Sequence, residues 1–357
     1  MSKRFKVVGI NFDHFHMGDL LRYTFEHPEA EIAGICDEHP ERMQDAIRNF
    51  SLSKEQVFTD VHACLEKTKP DLAVLCPSAA THGEWTRKVA EHSVHILVEK
   101  PFAGSLKEAD DMAATVAKTG KILAINWPTR WMAGSITAKK LIDQGTIGEV
   151  IEVHHYGGNR GPLYHGADKQ EKIPTTEDKA ASWFYNKSLG GGSLLDYMGY
   201  GTTMGTWYLG GRKPMEVTCM VDEPPGLEVD EHAVAVARYD CGLSKFETRW
   251  GTFTDPWTHQ PQPRCGFYIV GRDGTIANWD YAKALPVQTR ANPAGFEVPV
   301  DPVKAPDQNA IQYMLHHIGT GEPITGPLSV EISRIGQQIV DTAVQSAWER
   351  KTVKLLG

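Results

Sequence analysis

The sequence predicts an α/β chain in two parts: a doubly wound parallel sheet, then an α+β domain on an open, mostly antiparallel sheet. Three observations carry this reading. From Phe5 to Ile125, short and uniformly apolar strands alternate with helices, the pattern of a parallel sheet covered on both faces. Beyond Gly145, longer strand-like runs follow one another. Hairpin signals join them at Asp240-Cys241-Gly242 and Gly271-Arg272-Asp273-Gly274. Finally, 357 residues at roughly 150 per domain allow two domains with separate cores. The boundary is placed between Ile125 and Asn126, giving domains 1–125 and 126–357.

The elements follow in order. Phe5–Ile10 is a buried strand and Gly18–Glu26 a helix. Ile32–Cys36 is the second strand, ending at Asp37, and Pro40–Phe50 is a helix with proline in its first turn. Leu72–Cys76 is a strand stopped by Pro77, and Thr81 caps a helix reaching Glu91. His95–Val98 is a strand stopping at Glu99. Ser105 and Glu108 form a capping box for the helix to Thr119, which Gly120 ends, and Ile122–Ile125 is the next strand. Met132–Gln144 is one more helix, ended by Gly145. The later strands are Glu149–Tyr156, Met215–Val221, His232–Tyr239, Leu243–Trp250, Gly266–Val270 and Gly274–Trp279. Helices are expected at Gly191–Leu209, Asp307–Thr320 and Ser329–Arg350.

Composition narrows the function. A net charge of −8 offers no basic patch for nucleic acid or an anionic membrane. No apolar run approaches the roughly 18 residues of a transmembrane helix, and the basic start leads into a strand rather than a signal peptide. None of the six cysteines forms a C-x-x-C pair, so reduced cytoplasmic thiols are expected. The histidine pairs His14-x-His16, His154-His155 and His316-His317 bring no converging ligand set, so no metal is expected.

In a parallel sheet of this kind, ligands bind beyond the carboxyl ends of the strands. A strand, a glycine-bearing turn, a helix and an acid ending the second strand form the dinucleotide-binding (Rossmann) arrangement. Gly9 holds the first motif position, Asn11 and His14 replace the second and third glycines, and Gly18 follows. By itself Gly9 also fits a tight turn in a domain that binds no nucleotide. Asp37 stands where a ribose-binding acid belongs; its other reading is a cap for the helix at Pro40. Glu38, His39 and Pro40 supply no arginine beside it, so NAD is favoured over NADP. Further cofactor contacts are expected from Phe12, Pro77, Ser78, His82, Glu99 and Lys100, at or just past the strand ends. His14 and His16 are placed to meet phosphate or solvent.

Cys76-Pro77-Ser78-x-x-Thr81-His82 followed by Glu99-Lys100-Pro101 resembles the E-K-P region of the Gfo/Idh/MocA oxidoreductase family. Trp183-Phe184-Tyr185 and Gly190-Gly191-Gly192-Ser193-Leu194-Leu195-Asp196 resemble that family's W…G-G-G-x-L-x-D segment. The resemblance spans the whole chain. It implies an N-terminal NAD(P) domain and a C-terminal domain carrying the substrate site on one side of its sheet. An oligomer interface, for a homodimer or homotetramer, is implied on the other side. The implied reaction is oxidation of a secondary alcohol of a sugar or polyol.

Hydride removal from a carbinol needs a base for the hydroxyl proton and a positive group near the developing alkoxide. Lys100 is the candidate cation. Asp196 and Tyr200, four apart on a helix, share one face. Many family members carry histidine at the position of Tyr200; tyrosine there resembles the glucose–fructose oxidoreductase branch and makes Tyr200 the acid/base. Asp196 is the hydrogen-bond acceptor orienting substrate or Lys100. Asn126, Arg130, Tyr156, Arg160, His165, Trp183 and His259 are candidate sugar contacts, as aromatic or directional polar groups. Two other functions stay open: a redox-neutral enzyme using bound NAD for transient oxidation, and a non-catalytic binding protein.

Overall fold

A computed structural model describes residues 4–164 and 172–357; the candidate sugar contact His165 lies outside them. The chain forms two compact units that interleave in sequence.

The first unit opens with β1 (Phe5–Ile10), α1 (His16–Glu26), β2 (Ala30–Cys36), α2 (Gln44–Asn49), β3 (Val57–Phe58) and α3 (Val61–Thr68). It continues with β4 (Leu72–Leu75), α4 (His82–Ala90), β5 (His95–Glu99), α5 (Leu106–Ala117) and β6 (Leu123–Asn126). Six parallel strands lie in the order β3-β2-β1-β4-β5-β6, reversing between β1 and β4. Val7, Val8, Ile10, Leu72, Leu75, Leu97 and Val98 are fully buried, as uniformly apolar strands require. Each such side chain contributes about 1.5–3 kcal/mol on burial.

Several local expectations change. The pair β3 and α3 was not predicted, although Val61, Cys64, Leu65 and Thr68 are buried at helical spacing and Asp60 caps the helix by accepting from Ala63 N. Thr81 makes no side-chain cap; its hydroxyl donates to the Ser78 carbonyl instead. Ser105 does cap α5, accepting from Glu108 N, but no capping box closes. The Glu108 carboxylate instead accepts from Gly83 N and Gly104 N, tying α4 to the loop before α5.

The second unit holds α6 (Ala133–Asp143), β7 (Val150–Asn159), α7 (Thr176–Ala181), α8 (Ser193–Tyr208), β8 (Glu216–Asp222), β9 (His232–Arg238) and β10 (Leu243–Trp250). Then come β11 (Gly266–Gly271), β12 (Gly274–Trp279), β13 (Ala284–Thr289) and β14 (Phe296–Pro299). The next helix, α9 (Ala310–Thr320), belongs to the first unit and packs on α1, so a single boundary near residue 125 does not describe the two units. The chain ends in α10 (Val330–Glu349) and β15 (Val353–Lys354), both largely of the second unit. Nine strands run in the order β14-β13-β12-β11-β7-β10-β9-β8-β15, antiparallel except for β7 with β10. The three strands at its ends, β13, β14 and β15, were not predicted. On this sheet, Met198, Met204 and Tyr208 of α8 share a core with Phe246, Phe267, Ile335 and Ile339. Among the described residues, no helix is long and apolar enough to cross a membrane.

Candidate functional site

The carboxyl edge of the six-stranded sheet gathers polar groups that are almost wholly buried. Asn11, His14, Asp37, Ser78, His82, Glu99, Lys100 and Asn126 are each 6% exposed or less. Gly9 lets α1 approach β1 closely, since a Cβ there would lie 2.8 Å from Met17 Sδ. Asn11 takes the left-handed conformation (φ 64°) that glycine usually supplies, and its side chain accepts from Asp13 N at 2.8 Å.

Asp37 fastens this turn to the end of β2. Its carboxylate accepts from Phe12 N and His39 N, each at 2.7 Å. Burial raises its pKa above the usual carboxylate value, and those two N–H donors oppose the shift. The helix-capping alternative is thereby replaced by a two-sided staple. Arg42, reached through a short turn from Pro40, donates to Asp13 at 2.5 Å and comes within 3.9 Å of Asp37. Arg42 stands beyond Glu38, His39 and Pro40, and nothing in the local sequence marks it as a neighbour of Asp37. The other Asp13 oxygen accepts from Ser78 N at 3.0 Å.

A dinucleotide fits this edge in part. The strand order, the close β1–α1 packing and Asp37 suit it. The turn differs from a glycine phosphate cradle, because the amides of Asn11, Phe12, Asp13, His14 and His16 all donate within the protein. Any phosphate contact from these residues therefore comes from side chains.

Two expected cofactor contacts are enclosed by protein groups. His82 is fully buried, with Nδ1 3.2 Å from the Phe102 carbonyl and Nε2 3.1 Å from that of Pro77. Burial lowers its pKa, and the neutral ring, with a single N–H, donates to one of these two carbonyls. Glu99 is also fully buried. One carboxylate oxygen meets His16 Nδ1 at 2.7 Å and the other accepts from Asn126 Nδ2 at 2.8 Å, so Glu99 acts through those residues. His14, His16 and Glu99 thus place ligand-type atoms within 4.8 Å of one another. This cluster was invisible in sequence because Glu99 lies on a distant strand.

In the second unit, the triple glycine sets the start of α8. Gly190 and Gly192 have φ of 85° and 104°, and a Cβ on Gly191 would lie 2.4 Å from the Phe184 carbonyl oxygen. The chain enters the helix against Trp183-Phe184, whose rings stack at 4.0 Å. Asp230 receives Ser193 Oγ and Leu194 N at the helix start. Asp196 and Tyr200 are 2% and 7% exposed. Tyr200 meets Trp127 and Tyr197 edge-on at 5.6 and 5.0 Å. Tyr197 and Tyr208 are packing residues, with burial raising both phenols above their ordinary pKa.

Among the remaining candidates, Arg160 forks onto buried Asp255, with Nε 2.6 Å and Nη2 2.5 Å from Oδ2, and so fixes the loop after β10. Arg130 lies over the rings of Trp131 and Trp207. Tyr156 and Trp183 are buried, whereas His259 is exposed. Burial raises the Tyr156 phenol to about 12.

Comparison with known proteins agrees with this architecture. Residues 3–127 match the oxidoreductase family with an NAD-binding Rossmann fold, and residues 135–277 match the GFO/IDH/MocA C-terminal domain. The D-glucoside 3-dehydrogenase of Escherichia coli is 27% identical over 122 residues, 34% of this chain and 34% of that protein. The scyllo-inositol 2-dehydrogenase (NAD(+)) of Bacillus subtilis is 27% identical over 159 residues, 44% of this chain and 45% of that protein. These alignments span less than half of either relative. The aldose-aldose oxidoreductase of Caulobacter crescentus, solved with glycerol, superposes with a TM-score of 0.78 at 20% identity, covering 99% of this chain and 100% of that one. With both of its domain models matched in order on two sheets of the corresponding architecture, the chain belongs to the Gfo/Idh/MocA oxidoreductase family.

Proposed function

We propose that the chain is an NAD-dependent oxidoreductase that oxidises a secondary alcohol of a sugar or polyol. The observation carrying this is Lys100, only 3% exposed and set directly after Glu99 at the carboxyl end of β5. A cation on a buried strand end suits an alkoxide better than solvent. NAD held at Asp37 and the β1–α1 turn would supply the hydride acceptor. Tyr200 takes the hydroxyl proton, as in the tyrosine branch of the family, and Asp196 accepts a hydrogen bond that orients the substrate. NAD is preferred to NADP because Asp37 suits ribose hydroxyls and the charge of Arg42 is taken up by Asp13. The names of the glucoside and inositol dehydrogenases support a polyhydroxylated substrate. The exposed Met220, Val236 and Tyr268 on β8, β9 and β11 support a homodimer or homotetramer formed through the nine-stranded sheet.

The test is to denature the purified protein, identify released nucleotides by mass spectrometry, titrate NAD and NADP, and screen sugars and polyols for NADH formation. NAD binding with turnover is expected. Lys100→Met should then lower kcat by about 10²–10³-fold with an unchanged melting temperature. Absence of nucleotide binding would overturn the reading.

A further inference from the structure

The cluster of His14, His16 and Glu99 is built so that each histidine takes a different tautomer. His16 Nδ1 lies 2.7 Å from Glu99 Oε1, and the other oxygen of that carboxylate already accepts from Asn126. A carboxylate accepts, so a proton sits on His16 Nδ1, and in the neutral ring Nε2 carries the lone pair. His14 is reversed: its Nδ1 accepts from His16 N at 3.2 Å, which puts its proton on Nε2. A divalent cation needs lone pairs, and His14 has spent the one on Nδ1. To hold one, His14 would have to give up its bond from His16 N. His14 and Glu99 are 1% and 0% exposed, while the His16 side chain is 17% exposed and presents the accessible surface.

The location is specific. His16 opens α1 directly after β1, and Glu99 ends β5, so their bond passes over the carboxyl end of β4. The strand order reverses between β1 and β4, where such sheets bind dinucleotides.

We propose that His16 anchors the nicotinamide-side ribose: its Nε2 accepts a hydrogen bond from a ribose hydroxyl, and Glu99 is the positioning residue that fixes the tautomer. Phosphate oxygens only accept, so this nitrogen discriminates against them and for a hydroxyl. The proposal rests on the reading of the chain as a dinucleotide enzyme and adds a contact to it.

Three probes separate the possibilities: NAD, ADP-ribose, which keeps the second ribose, and ADP, which lacks it. Calorimetric titration of His16→Ala should show a loss of about three- to tenfold for NAD and ADP-ribose, and less than about twofold for ADP. Glu99→Gln should repeat the pattern with a smaller loss, and His16→Gln, whose amide oxygen also accepts, should recover part of it. Nitrogen-15 NMR of the wild-type protein should find the His16 proton on Nδ1. An equal loss for ADP would overturn the proposal in favour of a phosphate contact. No loss for any probe would leave the pair a brace. Tight zinc binding abolished by His14→Asn would make the cluster a cation site and overturn it too. If the wild-type protein binds none of the three nucleotides, the dinucleotide reading itself fails; if it binds all three and His16→Ala is indistinguishable from it, only the anchor fails.

Discussion

The β1–α1 turn and helix α8 both hold polar groups at buried positions, by opposite means. In the turn, side chains stand in for a regular backbone: Asn11 accepts from Asp13 N, Asp37 from Phe12 N and Asp13 from Ser78 N. In α8, contact distance does the work. A Cβ on Gly199 would meet the Trp127 ring at 2.5 Å, one on Gly201 would meet His155 at 2.5 Å, and one on Gly336 of α10 would meet Thr203 Oγ1 at 2.1 Å. A hydrogen-bonded turn tolerates exchange of one acceptor for another of the same shape, because the buried donor stays satisfied. A close-packed helix does not, because neighbours must move.

That difference sets the largest expected effect. Gly336→Ala forces apart two helices, since both the Thr203 hydroxyl and its Cα, 3.0 Å from the added atom, are in the way. It should lower stability by about 2–3 kcal/mol, read from urea unfolding with unchanged slope. A loss below about 0.5 kcal/mol would mean that α8 is as forgiving as the turn.

The start of α8 is held by an acid, and it should respond to pH. Burial raises the Asp230 carboxyl to about 6, above the 3.8 of an unperturbed aspartate, although Ser193 Oγ and Leu194 N donate to it. A raised acid pKa means that the folded state holds the proton more tightly. Its stabilising contribution is complete below about pH 4 and is lost as pH rises through about 6. Asp230→Asn keeps an acceptor oxygen without the charge. It should flatten that slope and raise stability near neutral pH by about 1–2 kcal/mol, allowing for partial exposure. Parallel pH–stability curves for the two proteins would contradict this.

The same contrast explains what the sequence discloses. Uniformly apolar strands, Gly9, Asp37, Lys100 and the glycines before Asp196 are local signals, and each stands where it was expected. The failures involve partners far apart in the chain. Glu99 reaches His16 from another strand, Arg42 reaches Asp13 through a short turn, and Asp255 captures Arg160 from the loop beyond β10. For His82, a helix-start histidine beside a strand end gives no hint that Pro77 and Phe102 carbonyls enclose it. The outer strands β13, β14 and β15 carry weak signals because they are short or contain proline, as at Pro286 and Pro299.

The smallest effect concerns cofactor choice, and it tests how far the turn depends on side-chain charge. Asp13 accepts from Arg42 at 2.5 Å and from Ser78 N at 3.0 Å, so it both neutralises the guanidinium and ties two loops together. Asp13→Asn retains one acceptor for Ser78 N and removes the charge. Arg42, itself 40% exposed on its side chain, then keeps Asp37 at 3.9 Å as its acidic neighbour among the described residues. A guanidinium released beside the end of β2 should welcome a 2′-phosphate. NADP affinity should rise about three- to tenfold, an ion pair of about 1 kcal/mol at a partly exposed position, while NAD affinity changes less than about threefold. Asp37 remains in place, so NAD should still bind the more tightly of the two. Titration of both nucleotides against the variant decides it: if NADP gains nothing, Asp13 does not control the selectivity, and the repulsion at Asp37 alone sets the preference.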